Sequence, residues 1–356
     1  MRKQETSAAP IPLRWVGPLR VSGNVLEGEH EVPLATYESP LWPSVGRGAK
    51  LSRLVEGGIL TTLVDERMSR SILLEADDAM AALAAIRAID ASRDELQRVV
   101  AGSSRFAELI DIHHQIAGNL LFVRFEFRTG DASGHNMVTN ASDRLMDHIL
   151  QSVPGVRYGS ISGNFCSDKK ATAVNGILGR GKNVVTEIVI PRATVSRWLR
   201  TTPEAIVELN VRKNLIGTML AGGLRSGNAH YANMLLAFYL ATGQDAANIV
   251  EGSQGITHAE VRGEDLYFSC NLPNLIVGSV GNGKGQGLDV VEENLVRLGL
   301  REERAAGENA RRLAALCAAT VLCGELSLMA AQTNPGELMQ AHIALERSAS
   351  AAEARA

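Results

Sequence analysis

Residues 162–170 read SGNFCSDKK and place the carboxylate of Asp168 directly before two lysines, Lys169 and Lys170. A lysine held beside acids in a packed, glycine-lined segment keeps its charge while losing water, and so stabilises an oxyanion that develops next to it. Taken locally, a solvated charged turn is the stronger reading, and the rest of the chain has to decide. Two glycine-rich stretches, GDASGHN at 130–136 and GSVGNGKGQG at 278–287, offer a second kind of chemistry. Backbone N–H groups in such turns and at helix N-termini bind phosphate. Neither stretch is GxGxxG, so a Rossmann fold is not supported, and each on its own reads first as a plain turn. The run Ser103-Ser104-Arg105-Phe106 adds hydroxyls and a guanidinium, which suit a 2′-phosphate as well as they suit a polar surface loop.

The elements that must hold these groups follow from periodicity and punctuation. The first 35 residues, with Pro10, Pro12, Gly17-Pro18 and Pro33, read as an irregular arm with short extended pieces. A strand-like run follows at 59–64. Residues 77–91 are Ala-rich with helical spacing, 120–127 alternate as a half-buried strand, and 136–153 form an amphipathic helix, so about 71–158 suits a compact α+β module. Residues 158–160 read as a turn. Beyond it come a strand at 184–190, a helix start at Thr202-Pro203, a long apolar helix at 228–242, a partial strand at 266–276 interrupted by Pro273, and a helix at 308–331. Residues 313–331 are long and apolar enough to test as a membrane span, but Glu325 lies among them, and a buried core helix is the reading taken.

At 356 residues the chain has room for two or three domains and a large core. A net charge of −3 argues against nucleic acid or an anionic membrane surface as partner. The four cysteines have no zinc-like spacing, which fits a reduced compartment. The start has no apolar leader, so a soluble, cytoplasmic protein is expected.

Eleven strings, in order, carry a resemblance: PLATYES (33–39), DERMSR (65–70), SRF (104–106), RTGDASGHNM (128–137), SGNFCSDKK (162–170), GRGKNVV (179–185), RKNL (212–215), NAHYAN (228–233), GQDAAN (243–248), DLYFSC (265–270) and GELSLMAA (324–331). Together they resemble the catalytic portion of the 3-hydroxy-3-methylglutaryl-coenzyme A (HMG-CoA) reductases, class I-like, over almost the whole chain. The resemblance implies reduction of a thioester in two hydride steps with two NADPH, giving mevalonate and CoA, with no metal.

By the same resemblance Lys169 is the oxyanion-stabilising lysine, Glu38 the proton donor and Asp245 the aspartate linking them. Such a cluster shifts its own pKa values and can hold an acid protonated until it donates. His342 is the acid for the departing thiolate; it keeps its spacing to Ser348, but Leu345-Glu346 stand where the family has a second histidine and an asparagine. Substrate contacts fall on Arg70, Ser162, Asn164, Asp168, Lys170, Lys213, His230 and Asn233, with Arg47 and Lys50 toward the CoA phosphates. Cofactor contacts fall on Ser104, Arg105, Asp131, Asn136, Val280 and Gly281. Asn282 interrupts a run of glycines usual in the family, and Ser133 and His135 replace two methionines of the common DAMGMN string.

The implied architecture is α/β plus α+β. A large HMG-CoA-binding domain (1–71 and 160–348) contains a long central helix, a small ferredoxin-like NADP-binding domain is inserted at 72–159, and 349–356 form a flexible tail. A homodimer or dimer of dimers is implied, with the active site at the subunit interface. A reductase of a related 3-hydroxyacyl-CoA, an NAD-dependent mevalonate oxidase and a non-catalytic binding paralogue are the rival readings.

Overall fold

A computed structural model describes residues 9–281, 288–340 and 343. Ten strands are formed among them: β1 (Leu13–Gly23), β2 (Gly28–Ala35), β3 (Ile59–Ala76), β4 (Glu108–Ala117), β5 (Leu120–Arg128), β6 (Val156–Ser160), β7 (Gly181–Ile190), β8 (Ser226–Gly227), β9 (Gly255–Arg262) and β10 (Asp265–Leu275). The main path of the sheet runs β2-β1-β3-β7-β10-β9-β8, with β5 and β6 also pairing β3 and β4 pairing β5.

The 18-residue strand β3 organises everything else. Its first part, Leu60 to Arg67, pairs antiparallel with β7. Its second part pairs with β5 from Met68 to Glu75 and with β6 from Leu73 to Ala76. One continuous strand therefore feeds two hydrophobic cores. The larger lies around the helices Leu41–Leu54, Tyr231–Ala241 and Glu308–Gln332. The smaller packs Ile72, Leu74, Phe125 and Phe127 against Ile89, Leu96, Leu145 and Ile149 from the helices Ala79–Ala91, Arg93–Ala101 and His135–Ser152. Burial of large apolar side chains at roughly 1.5–3 kcal/mol each is what holds both.

Three readings from sequence change here. The proline-bearing N-terminal segment is not an irregular arm but the antiparallel pair β1–β2. Pro18 falls in the register break between Val16 and Leu19, and Pro33 lies on the edge strand β2, two places where a missing N–H disturbs a ladder least. Pro273 does not end β10, because it sits in a second register break, between Leu272 and Leu275. Residues 158–160, read as a turn, close strand β6.

The helix Glu308–Gln332 is long and apolar enough to cross a membrane, yet 94% of its apolar window is buried inside the protein. It is a core helix, and Glu325 within it is fully buried and fully used: Oε1 accepts from Ala229 N (2.6 Å) and Thr257 Oγ1 (2.9 Å), and Oε2 from His230 N (3.0 Å). The helix also makes a close approach to Leu41–Leu54 at Gly48, where an added Cβ would lie 2.4 Å from the Cα of Cys323. Gly48→Ala is therefore expected to force the two helices apart and cost about 1–3 kcal/mol. Thermal denaturation checks this, and an unchanged Tm would show that the pair has room to spare.

Candidate active site

The loop between β6 and the short helix Ala173–Leu178 carries SGNFCSDKK. Asn164, Ser167 and Lys169 all take left-handed backbone (φ 56°, 51° and 53°). Such geometry in non-glycine residues persists only where the surroundings impose it. They do so here. Gly163 N donates to Ser71 O (3.2 Å), Cys166 N to Ser71 Oγ (3.1 Å), Asn175 Nδ2 to Ser167 O (2.9 Å) and Lys169 N to Glu251 Oε1 (3.0 Å). The loop is thus tied both to β3 and to the segment after the helix Tyr231–Ala241.

The two adjacent lysines are not equivalent. Lys169 Nζ lies 2.7 Å from Asp245 Oδ2, whereas Lys170 Nζ reaches only the carbonyl of Asp168 (3.2 Å). The hydrogen bond to Asp245 raises the pKa of Lys169 against the partial burial that lowers it. Burial raises the Asp245 carboxyl, but the bonds from Lys169 and Ala247 N–H outweigh it, so Asp245 lies below its ordinary value. The pair is a committed ammonium–carboxylate pair. Asp168 sits among cations: Arg180 Nη1 is 3.0 Å from Oδ1 and Arg70 Nη1 is 3.9 Å from Oδ2. Arg180, only 1% exposed, also binds Glu251 Oε1 at 2.9 Å.

Arg70, Asp168, Lys169 and Asp245 line a cleft of about 560 Å³ whose other wall is Ala132 to Met137, with Thr139 and Gly281. The two glycine-rich stretches meet here. Ser279 N and Val280 N both donate to Asp131 O (2.8 and 3.2 Å), and Val280 bridges Ala132. The contact requires glycine at 278, where a Cβ would lie 2.3 Å from Ser133 N. Gly130 and Gly281 take left-handed backbone with no atom closer than 3.8 Å to an added Cβ, leaving open main chain for a ligand to approach. Asn136 lies in the first turn of the helix His135–Ser152 and lines the cleft. The Asp131 carboxylate faces elsewhere: it accepts from Gly307 N (2.8 Å) and Ala310 N (3.0 Å) at the start of the helix Glu308–Gln332.

Arg105 stacks on Phe106 at 4.6 Å and lines a second cleft of about 660 Å³ that shares Gly130 with Arg128 and Arg311. In that cleft Arg128 pairs with Glu108 and Arg311 with Glu66. Ser104 Oγ accepts from Phe106 N (3.2 Å).

The remaining residues expected from sequence do not line the first cleft. Glu38 Oε2 accepts from Asn233 Nδ2 (2.9 Å), His230 Nε2 lies 3.0 Å from Gly324 O, and Lys213 Nζ lies 3.3 Å from Asn214 Oδ1. Burial lowers the pKa of Lys213, with Glu325 pulling the other way. Arg47 pairs with Glu337 and Ser327, and Lys50 sits 3.6 Å over the Trp198 ring. Among the described residues no hydrogen bond or ion pair joins this Glu38 group to the Lys169 cleft. Ser162 bonds through its backbone N–H to Ser160 Oγ (3.3 Å), and Asn164 uses its carbonyl to fix Ser167. His342 and Asn282 lie outside the described residues. Arg180, Glu251, Glu325 and His135, which do much of the holding, were not expected as site residues.

Comparison with known proteins settles the family. The sequence profile described as Hydroxymethylglutaryl-coenzyme A reductase matches residues 4–347. The chain belongs to that family. It is 46% identical over 325 residues to the 3-hydroxy-3-methylglutaryl-coenzyme A reductase of Pyrococcus abyssi, covering 90% of this chain and 78% of that one. With the reductase of Methanothermobacter thermautotrophicus it shares 42% over 338 residues, 95% and 83% of the two chains. The fold matches the class II HMG-CoA reductase of Streptococcus pneumoniae, solved bound to NADPH in open conformations, with TM-score 0.74 and 19% identity over 93% of this chain and 87% of that chain. The oxidoreductase chemistry of the HMG-CoA reductases is therefore the frame for the two clefts.

Proposed function

We propose that this chain reduces HMG-CoA to mevalonate and CoA with two NADPH, as a step of the mevalonate route to isoprenoids. The observation that carries the reading is the Lys169–Asp245 pair at 2.7 Å, set in a cleft opposite the joined glycine-rich turns. A fixed ammonium is what a thioester carbonyl needs as it becomes an oxyanion. The open main chain at Gly130 and Gly281 fits a phosphate-bearing dinucleotide, and Arg105 in the second cleft, with Ser104 next to it in sequence, fits its 2′-phosphate. The dinucleotide supplies hydride when bound.

The protein's own groups do the rest. Lys169 takes the charge of the oxyanion, and Asp245 holds Lys169 in its charged form. Arg70 and Lys170 receive the substrate carboxylate, with Asp168, Ser162 and Asn164 around its hydroxyl. Glu38 gives the proton to the new alcohol oxygen, and His342 protonates the departing thiolate. Within one chain Glu38 bonds to Asn233, and among the described residues no hydrogen bond or ion pair joins it to Lys169. This supports a homodimer, or dimer of dimers, in which one subunit's Glu38 group completes the other's Lys169 cleft. On this reading Arg47 and Lys50 exchange their present partners for CoA phosphates. The smaller core, about 72–159, is the inserted ferredoxin-like cofactor domain, the remainder of 1–348 is the substrate domain built on the helix Glu308–Gln332, and the protein works in the cytoplasm.

The test is an assay of HMG-CoA-dependent NADPH and NADH oxidation with the product identified. Mevalonate and free CoA in a 1:1 ratio are expected. Arg105→Ala is expected to raise KM for NADPH by about 10-fold or more while leaving NADH nearly unchanged, from the loss of a charge-assisted contact. Equal losses for both would remove Arg105 from the 2′-phosphate.

A further inference from the structure

The turn that opens the helix His135–Ser152 carries two polar side chains, Ser133 and His135, at the positions where the family string has methionines. Ser133 Oγ lies 3.4 Å from His135 Nδ1, and His135 Nε2 lies 3.8 Å from Asp168 Oδ1. Both of those last atoms are buried; Nε2 has no hydrogen-bond partner, and Oδ1 has only the Arg180 ion pair at 3.0 Å. All three residues line the Lys169 cleft.

The carboxylate facing Nε2 favours the tautomer that carries its proton there, with Ser133 as the donor to Nδ1. A hydroxyl that donates to Nδ1 leaves the ring proton on Nε2, which faces the carboxylate. The ring is kept neutral by burial first and by Arg180 second; Asp168 and Asp245 pull the other way and Lys169 adds to the lowering. The helix N-terminus also disfavours an imidazolium there.

We propose that Ser133 and His135 are positioning residues that act on Asp168: Ser133 orients the imidazole, and its Nε2–H holds the Asp168 carboxylate in the reaction cleft. The gap to Asp168 is about 1 Å longer than an N–H···O bond, within reach of a small rotation. The inference rests on the cleft being the site of HMG-CoA reduction, with Asp168 at the polar end of the substrate. Asp168 already faces Arg180 at 3.0 Å and Arg70 at 3.9 Å, with the Lys169–Asp245 pair in the same cleft. A neutral donor adds a directed bond without a further cation. An imidazolium would add that cation and draw Asp168 from Arg70. Because the ring titrates below its ordinary value of 6.5, this change arrives only as pH falls below that value.

The first measurement needs no activity. In protein labelled with ¹⁵N-histidine, the signal lost in His135→Met identifies His135. It is expected in the Nε2–H form, and Ser133→Ala is expected to shift it toward a tautomer mixture. An Nδ1–H form, or a signal indifferent to Ser133→Ala, overturns the relay. The second is kinetic. His135→Met is expected to raise KM for HMG-CoA about 10-fold with kcat little changed, from the loss of one hydrogen bond to a charged group, and to remove an acid limb from the pH profile of kcat/KM. His135→Gln restores KM through its amide N–H but not that limb. Ser133→Ala is expected to add nothing in the His135→Met background; additive losses, or an acid limb kept in His135→Met, overturn the proposal. If the wild-type protein does not reduce HMG-CoA, the functional reading fails, and the ¹⁵N result still decides whether the relay exists.

Discussion

Lys169→Ala is expected to lower kcat for HMG-CoA reduction by at least about 10²–10³-fold, the loss seen when one preorganised oxyanion donor is removed. KM for HMG-CoA should move far less, because the bond to the oxyanion exists only once the carbonyl has accepted hydride. Folding should be nearly untouched: Lys169 and Asp245 are each about two-fifths exposed, and ion pairs of that exposure contribute about 0–1 kcal/mol. The pH dependence separates this role from that of an acid. The bond to Asp245 raises Lys169 above 10.5, so its charge is present at every assay pH and fades only above that value. An activity loss between pH 6 and 9 therefore belongs to another group. Lys169→Arg keeps the charge in a longer, planar head that cannot sit where the ammonium does, and is expected to recover only part of the rate. Stopped-flow reduction with saturating NADPH gives the result directly, and a Lys169→Ala enzyme with undiminished kcat would remove the oxyanion from this lysine.

What the sequence made legible and what it hid have physical causes. The helices His135–Ser152 and Glu308–Gln332 were read almost to the residue, since a long apolar period and an acidic or glycine start are local signals. The strands β1 and β2 were misread because proline speaks against strands in general, while its position at an edge or a register break is visible only in the sheet. Lys169 and Asp245 could be named from their motifs, and the structure places them in contact across 76 positions of chain (169 to 245). Glu38 carries a motif of its own, yet in the single chain it bonds to Asn233, and among the described residues no hydrogen bond or ion pair joins it to Lys169 or Asp245. Arg180 had no local signal at all. In Gly179-Arg180-Gly181-Lys182 it resembles a solvated basic turn, and only the closing of Glu251 and Asp168 around it, 71 and 12 positions away, turns it into a buried cation (251 − 180 and 180 − 168). Glu325 is the same case in a helix: its charge was noticed, but not its partners at 229, 230 and 257.

Arg180→Met is expected to destabilise the fold by about 3–5 kcal/mol, the cost of leaving a buried charge without its partner. The charge left behind is Glu251, which is fully buried and whose Oε1 also accepts from Lys169 N and Asn248 Nδ2, both at 3.0 Å. Burial already raises the Glu251 carboxyl above its ordinary value of 4.5, with Arg180 opposing it. Without Arg180 the rise is larger, so the folded variant binds a proton that the unfolded chain releases. Stability held in that way is full below 4.5 and is lost as pH rises through the folded value. The gap in Tm between wild type and Arg180→Met should therefore widen from pH 5 to pH 8. Glu251→Gln in the same chain removes the orphaned charge and is expected to return much of the loss, since deleting both members of a buried pair is often near neutral. It cannot restore the grip on Asp168, nor hold the backbone of Lys169 as a carboxylate does. The double variant should thus fold well and still reduce HMG-CoA slowly. Calorimetry across that pH range, with kcat measured on the same samples, decides it: a pH-independent gap would mean that Glu251 is not the group Arg180 compensates, and a fast double variant would mean that the loop carrying Lys169 is held without this pair.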